Sequence, residues 1–276
     1  MRRLATIGSK TSGLAKVNGT TLYYETAGSG TPLVLIHGNT LDTRMWDEQF
    51  DAFANHYRVV RYDMRGFGRS QVPSASPYSP AADLRALLSY LEISQTHVLG
   101  LSRGGLVAVD FAIEYPQTLL SLVLADAGLR AFEWQTFGRF SESVRDTARS
   151  SGLQEAKKLW LRGPLFAPAL EQAKVAERLA AMVADYSGWL WLHDEVLDVP
   201  EAAPASQLQR VLAPTLVIVG ERDIPDFHAI ARLLAAGVVN GELHTMKDVG
   251  HMSNMEAPTE FNRLVLRFLQ RQSPKT

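Results

Sequence analysis

Apolar residues alternate along this chain between two rhythms, short continuous runs and longer stretches at helical spacing. Lys16 to Thr20 carries Asn18-Gly19 between two β-favouring runs, a two-residue hairpin signal that starts the fold with two antiparallel strands, the second over Thr21–Thr26. Continuous apolar runs follow at Pro32–Ile36, Tyr57–Tyr62, His97–Leu99, Leu119–Leu124, Thr215–Val219 and Glu242–Met246. Runs of this kind predict strands buried on both faces. Between them, helical periodicity spans Thr43–Asn55, through Met45, Trp46, Phe50 and Phe53, then Pro80–Leu91, Leu106–Tyr115, Asp226–Ala236 and Pro258–Gln270.

Strands alternating with helices predict an α/β chain, a mostly parallel sheet with helices on both faces. The alternation stops from Leu129 to about Leu208, where only helical patterns and loops occur. The expected organisation is a core over 13–128 and 207–276, a helical cap over 129–206, and a loose polar, basic tail over 1–12. In such sheets ligands bind outside the carboxyl ends of the strands, so the insertion is expected to cover the site.

Composition narrows the function classes. The 276 residues suffice for one large domain with an insertion, and the formal net charge of −1 is no footprint for nucleic acid or an anionic membrane surface. No apolar run is long enough to span a bilayer. The chain has no cysteine, which removes disulfides, a thiol nucleophile and thiolate metal ligands. The first residues lack the apolar stretch of a signal peptide, and the expectation is a cytoplasmic protein with a small-molecule partner.

Every strongly marked polar position sits just after a predicted strand. Gly100-Leu101-Ser102-Arg103-Gly104 places a serine on a sharp strand-to-helix corner, where backbones approach too closely for a Cβ. The same pattern also suits an ordinary helix N-cap. Asp223 and His251 follow the next two strand ends after the helical block. A serine hydroxyl needs a base within hydrogen-bond reach, imidazole suits that role near neutral pH, and a carboxylate fixes the imidazole tautomer. A tetrahedral oxyanion needs preorganised donors, and the backbone N–H groups of Asn39 and Arg103 are the candidates.

These motifs together resemble the α/β-hydrolase superfamily, and within it enzymes of the 3-oxoadipate enol-lactonase and carboxylesterase kind. The similarity is carried by His37-Gly38, Trp46, Arg61 to Ser70, Tyr78-Ser79, Gly100 to Gly105, Gly220-Glu221-Arg222-Asp223, Gly250-His251-Met252, Glu256-Ala257-Pro258 and Phe261. It implies metal-free, cofactor-free hydrolysis by Ser102, His251 and Asp223, with a small ester or lactone passing through an acyl-enzyme. Arg103 departs from the many relatives with an uncharged residue there. It can meet an anionic substrate group or form an ion pair behind the elbow. The same triad also supports C–C bond hydrolysis or perhydrolysis, and a ligand receptor on a hydrolase fold is the reading from another class.

Other polar positions carry rival readings. Asp126 is the reserve acid, while Asp226 and Asp248 read as a helix cap and a loop residue. His37 reads as a brace for the oxyanion loop, and His56, His97, His228 and His244 as structural or surface residues. His193-Asp194 is too small a set for a metal. Asp63 with Arg65–Ser70 reads as a structural turn holding an internal ion pair. In the helical block, Trp134, Phe137, Trp160 and Trp189 are the expected substrate contacts, and Arg130, Arg139 and Arg162 are candidate carboxylate partners.

Overall fold

A computed structural model describes residues 10–74, 76–200 and 202–272. Eight strands form one sheet: β1 (Thr11–Val17), β2 (Thr20–Ala27), β3 (Pro32–Ile36), β4 (Arg58–Tyr62), β5 (Thr96–Leu101), β6 (Leu119–Ala125), β7 (Thr215–Gly220) and β8 (Gly241–Met246). Their spatial order is β1-β2-β4-β3-β5-β6-β7-β8. β2 runs antiparallel to both β1 and β4, and every later pairing is parallel. The β1–β2 hairpin turns on Asn18 and Gly19, both at positive φ (44° and 68°), as a two-residue turn of this kind requires. β1 begins inside the stretch expected to be a loose tail: Thr11 and Ser12 pair with Thr26 and Glu25. The remainder of that stretch, 1–9, lies outside the described residues.

β5 and β7 are buried at every position, so helices cover both faces of the central sheet. Helices Asp47–Ala54 and Pro258–Gln272 pack on each other, as do Pro80–Tyr90 and Arg103–Glu114. Each uses the apolar stripe seen in sequence; Phe261, Val265, Phe268 and Leu269 form the buried side of the last helix. Between β6 and β7 lie the helices Phe137–Ser150, Leu153–Leu161, Ala167–Leu170, Ala173–Asp185 and Trp189–Leu192. No helix among the described residues is long and apolar enough to cross a membrane.

One core histidine makes the fold sensitive to acid. His97, on β5, is buried and pairs through Nδ1 with Ser121 Oγ on β6 at 2.7 Å. Burial disfavours its charged form and lowers its pKa to about 4 from the ordinary 6.5. A depressed histidine pKa stabilises the fold above pH 6.5, and that contribution drains away as pH falls toward 4. His97→Asn removes the titration. Relative to this variant, the wild-type chain should lose about 2–3 kcal/mol between pH 7 and pH 4.5. Urea unfolding at the two pH values checks this; a wild-type–variant difference that stays constant contradicts it.

Candidate active site

The corner after β5 is built by close backbone approach. A Cβ on Gly100 would lie 2.2 Å from the Gly104 carbonyl oxygen, and one on Gly104 would lie 2.1 Å from that of Ile36. Only glycine fits at either place, which brings β5, the helix Arg103–Glu114 and the end of β3 together. Ser102 at the apex has φ 56° and ψ −115°, a strained conformation for a residue with a side chain. Its neighbours over-determine it: Ser102 N–H donates to Ala125 O (3.0 Å), and Gly128 N–H donates to Ser102 O (2.9 Å). Ser102 stands at the N-cap position of its helix, with its carbonyl accepting from Leu106 N–H (3.1 Å), but its side chain makes no capping bond there.

His251, after β8, reaches back to this corner. Its Nε2 lies 2.9 Å from Ser102 Oγ and its Nδ1 lies 2.8 Å from Asp223 Oδ2, after β7. The carboxylate can only accept, so Nδ1 carries the proton and Nε2 is free to accept from the serine hydroxyl. His251 and Asp223 are almost wholly shielded from water. Phe227 packs on the imidazole with ring centroids 4.2 Å apart. Asp223 also accepts from Ile224 N–H at 2.7 Å, which leaves its second oxygen for the imidazole.

Asn39 and Arg103 line the same space, and their backbone N–H groups meet no acceptor among the described residues. His37 braces the Asn39 loop as expected: Nδ1–H donates to Gly38 O (2.8 Å) and Nε2 accepts from Met64 N–H (2.9 Å). Burial holds His37 below its ordinary pKa, which suits this neutral double role. Thr40, next to Asn39, accepts at 2.8 Å from the Trp160 indole N–H. That bond ties the loop to the helical segment, and nothing in the periodicity of the chain signals it.

Ser102 opens into a cavity of about 350 Å³. Trp134, Phe137 and Trp160 line it, together with Phe166, Leu165 and Phe227, which the sequence reading did not single out as contacts. Trp189 does not line it. Its short helix turns Trp191 into the core, and a residue two positions away on a helix points to the other side. Trp189 stacks on His193 instead. At the cavity's rim the helix Phe137–Ser150 presents Ser141, Glu142 and Arg145, with Arg145 paired to Asp194 at 2.5 Å.

Several charged residues have other duties. The Arg103 guanidinium forms a mostly buried ion pair with Glu195, which does not line the cavity, so of its two possible roles the structure shows the ion pair. Arg130 pairs with Asp110 at 3.3 Å. The turn after β4 holds no internal ion pair: Asp63 accepts from Thr43 N–H (2.7 Å) and Arg69 N–H (2.8 Å), and Arg65 pairs with Asp83 at 2.7 Å on the next helix. Asp226 caps a helix other than its own. Its carboxylate accepts from Thr136 and Phe137 N–H, both at 2.9 Å, at the start of Phe137–Ser150. Burial opposes its charge, yet these N–H donors outweigh that and hold its pKa below the ordinary value.

Asp126 makes no bond to His251; its oxygens accept from Gly220 N–H (2.8 Å) and face Ser253 Oγ (2.5 Å). Burial first, and then the Asp223 charge, push its pKa well above the usual carboxylate value. Asp126, Asp223 and His251 bring ligand atoms within 4.8 Å of one another. An Asp126 whose raised pKa favours its neutral form, with an imidazole already shared between serine and carboxylate, is a poor donor set for a cation.

The family model described as the alpha/beta hydrolase fold matches residues 31–258. The chain is 31% identical over 258 residues to 3-oxoadipate enol-lactonase 2 of Acinetobacter baylyi, covering 91% of this chain and 93% of that one. A crystal structure of a hydrolase from Pseudomonas aeruginosa superposes with a TM-score of 0.80 at 33% identity, covering 95% of this chain and 98% of that one. The enol-lactonase from Burkholderia xenovorans superposes with a TM-score of 0.80 at 26% identity, covering 94% and 100%. Sheet order, corner geometry and these similarities agree: the chain belongs to the α/β hydrolase fold family, as a hydrolytic enzyme.

Proposed function

We propose that this hydrolase cleaves a small carboxylic ester or lactone through an acyl-enzyme on Ser102. The observation that carries the reading is the placement of His251, at hydrogen-bond distance from Ser102 Oγ on one side and Asp223 on the other. Ser102 Oγ attacks the carbonyl as His251 Nε2 takes its proton. Asp223 holds the imidazole tautomer and stabilises the imidazolium. The N–H groups of Asn39 and Arg103 receive the developing oxyanion, with the positive end of the helix Arg103–Glu114 behind them. His251 then protonates the departing oxygen and activates the water that frees the acid.

The segment 129–206 acts as the cap, supplying Trp134, Phe137 and Trp160 as an apolar wall for the acyl or alcohol portion. A cavity of about 350 Å³ suits a small substrate. The cysteine-free composition fits the reducing cytoplasm as the place of work.

The test is a panel of p-nitrophenyl esters, aliphatic and enol lactones, and vinylogous diketones, run beside labelling by a fluorophosphonate. Multiple turnover on esters or lactones with Ser102 as the labelled residue is the expected result. Turnover confined to the diketones would assign C–C bond hydrolysis. A single slow turnover on every member would leave the ester and lactone reading without support.

A further inference from the structure

Arg103 occupies an unusual position: it follows the strained Ser102 and lines the cavity, while its guanidinium is mostly shielded from water in an ion pair. The guanidinium pairs with Glu195, on the strand-like segment after the helix Trp189–Leu192, and both side chains are mostly shielded from water. Tyr78 Oη donates to Glu195 Oε1 at 2.5 Å. Backbone bonds fasten the same place: Tyr78 N–H to Val196 O (3.2 Å) and Asp198 N–H to Tyr78 O (2.9 Å). The Arg65 guanidinium lies 4.5 Å from the Tyr78 ring centroid on its other side, and Arg65 is locked to Asp83. The chain from Asp83 to the elbow is therefore continuous and largely dry.

Two physical points give this chain a role in the reaction. A serine held at φ 56° costs about 1–3 kcal/mol and persists only where its surroundings enforce it. A buried ion pair is a poor source of net stability compared with apolar packing, but it is directional, and removing one partner strands a buried charge. Arg103 Nε has no hydrogen-bond partner among the described residues, so the guanidinium depends on Glu195 for its compensation.

We propose that Glu195 is a positioning residue: supported by Tyr78, it anchors the Arg103 side chain and thereby fixes the Arg103 N–H that receives the oxyanion. The cap is tied through this anchor to the catalytic corner. The inference rests on the serine-hydrolase reading above.

The experiment compares wild type, Glu195→Gln, Tyr78→Phe and the double variant Glu195→Gln/Arg103→Met on p-nitrophenyl butyrate at 25 °C, with Ser102→Ala as the control. Glu195→Gln should lower kcat about 10- to 100-fold with KM changed by less than about twofold, as expected for a misplaced group that acts in the transition state. The rate of fluorophosphonate labelling, which also needs the oxyanion donors, should fall in parallel. Tyr78→Phe keeps the ion pair and should give a smaller loss of the same kind, which serves where Glu195→Gln does not fold. The double variant, which removes the stranded charge but not the need for the anchor, should regain Tm while its kcat stays as low as that of Glu195→Gln. A kcat for both Glu195→Gln and Tyr78→Phe within twofold of wild type, with only Tm lowered, would overturn the proposal and leave the hydrolase reading standing. Wild-type hydrolysis unaffected by Ser102→Ala would overturn both.

Discussion

Ser102→Ala is expected to lower kcat on a short-chain ester by about 10⁴- to 10⁶-fold while leaving the fold in place. The size of the loss follows from the way the site is wired. Ser102 Oγ is the atom that His251 Nε2 faces at 2.9 Å, and the methyl group of alanine leaves the imidazole with no nucleophile to deprotonate. What survives is the rate due to binding and the oxyanion donors alone. Stability should change little, because the hydroxyl makes no cap bond and the corner is held by backbone bonds from Ser102 N–H to Ala125 and from Gly128 N–H to Ser102. Steady-state assays beside a thermal melt measure both quantities. Activity within tenfold of wild type, in a variant that melts normally, would remove Ser102 from the chemistry.

The second large effect separates two aspartates whose oxygens both lie within 4.8 Å of the imidazole. Asp223→Asn should cost about 10⁴-fold in kcat, since an amide can donate to Nδ1 and so select the wrong tautomer. Asp126→Asn should leave kcat within about threefold, because Asp126 makes no bond to His251 and burial beside Asp223 raises its pKa, favouring the neutral form that an amide resembles. The two substitutions are chemically identical, so the contrast isolates position. A raised carboxyl pKa contributes stability below the usual carboxylate range and loses it as pH climbs through the raised value. Asp126→Asn does not titrate, so its Tm should gain on the wild type with rising pH. Equal losses of activity in the two variants would reassign the orienting acid.

Most of the scaffold was legible because each strand announces itself locally. Continuous apolar runs at Pro32–Ile36 and Thr215–Val219 became β3 and β7 with shifts of one residue at most. The Asn18-Gly19 turn set the hairpin register by itself. Ser102, Asp223 and His251 were legible for a related reason: in a parallel sheet, whatever follows a strand's carboxyl end arrives at one rim. The contacts of the helical segment were legible in part: Trp134, Phe137 and Trp160 line the cavity, and Trp189 does not. Trp189 and Trp191 look alike in a sequence, and only the phase of a single helical turn decides which one enters the core. Partnerships across large separations were equally hidden. Arg103 with Glu195 and Trp160 with Thr40 join residues 92 and 120 positions apart, and no local pattern encodes such pairs.

The Asp226 carboxylate, which closes the first turn of Phe137–Ser150 from outside that segment, bears on protein engineering. A chimera that transplants residues 129–206 onto another scaffold leaves behind the group that finishes its leading helix. Donor boundaries drawn by sequence contiguity would therefore cut through a working unit, and a successful graft must carry an acid at the equivalent of position 226 along with it.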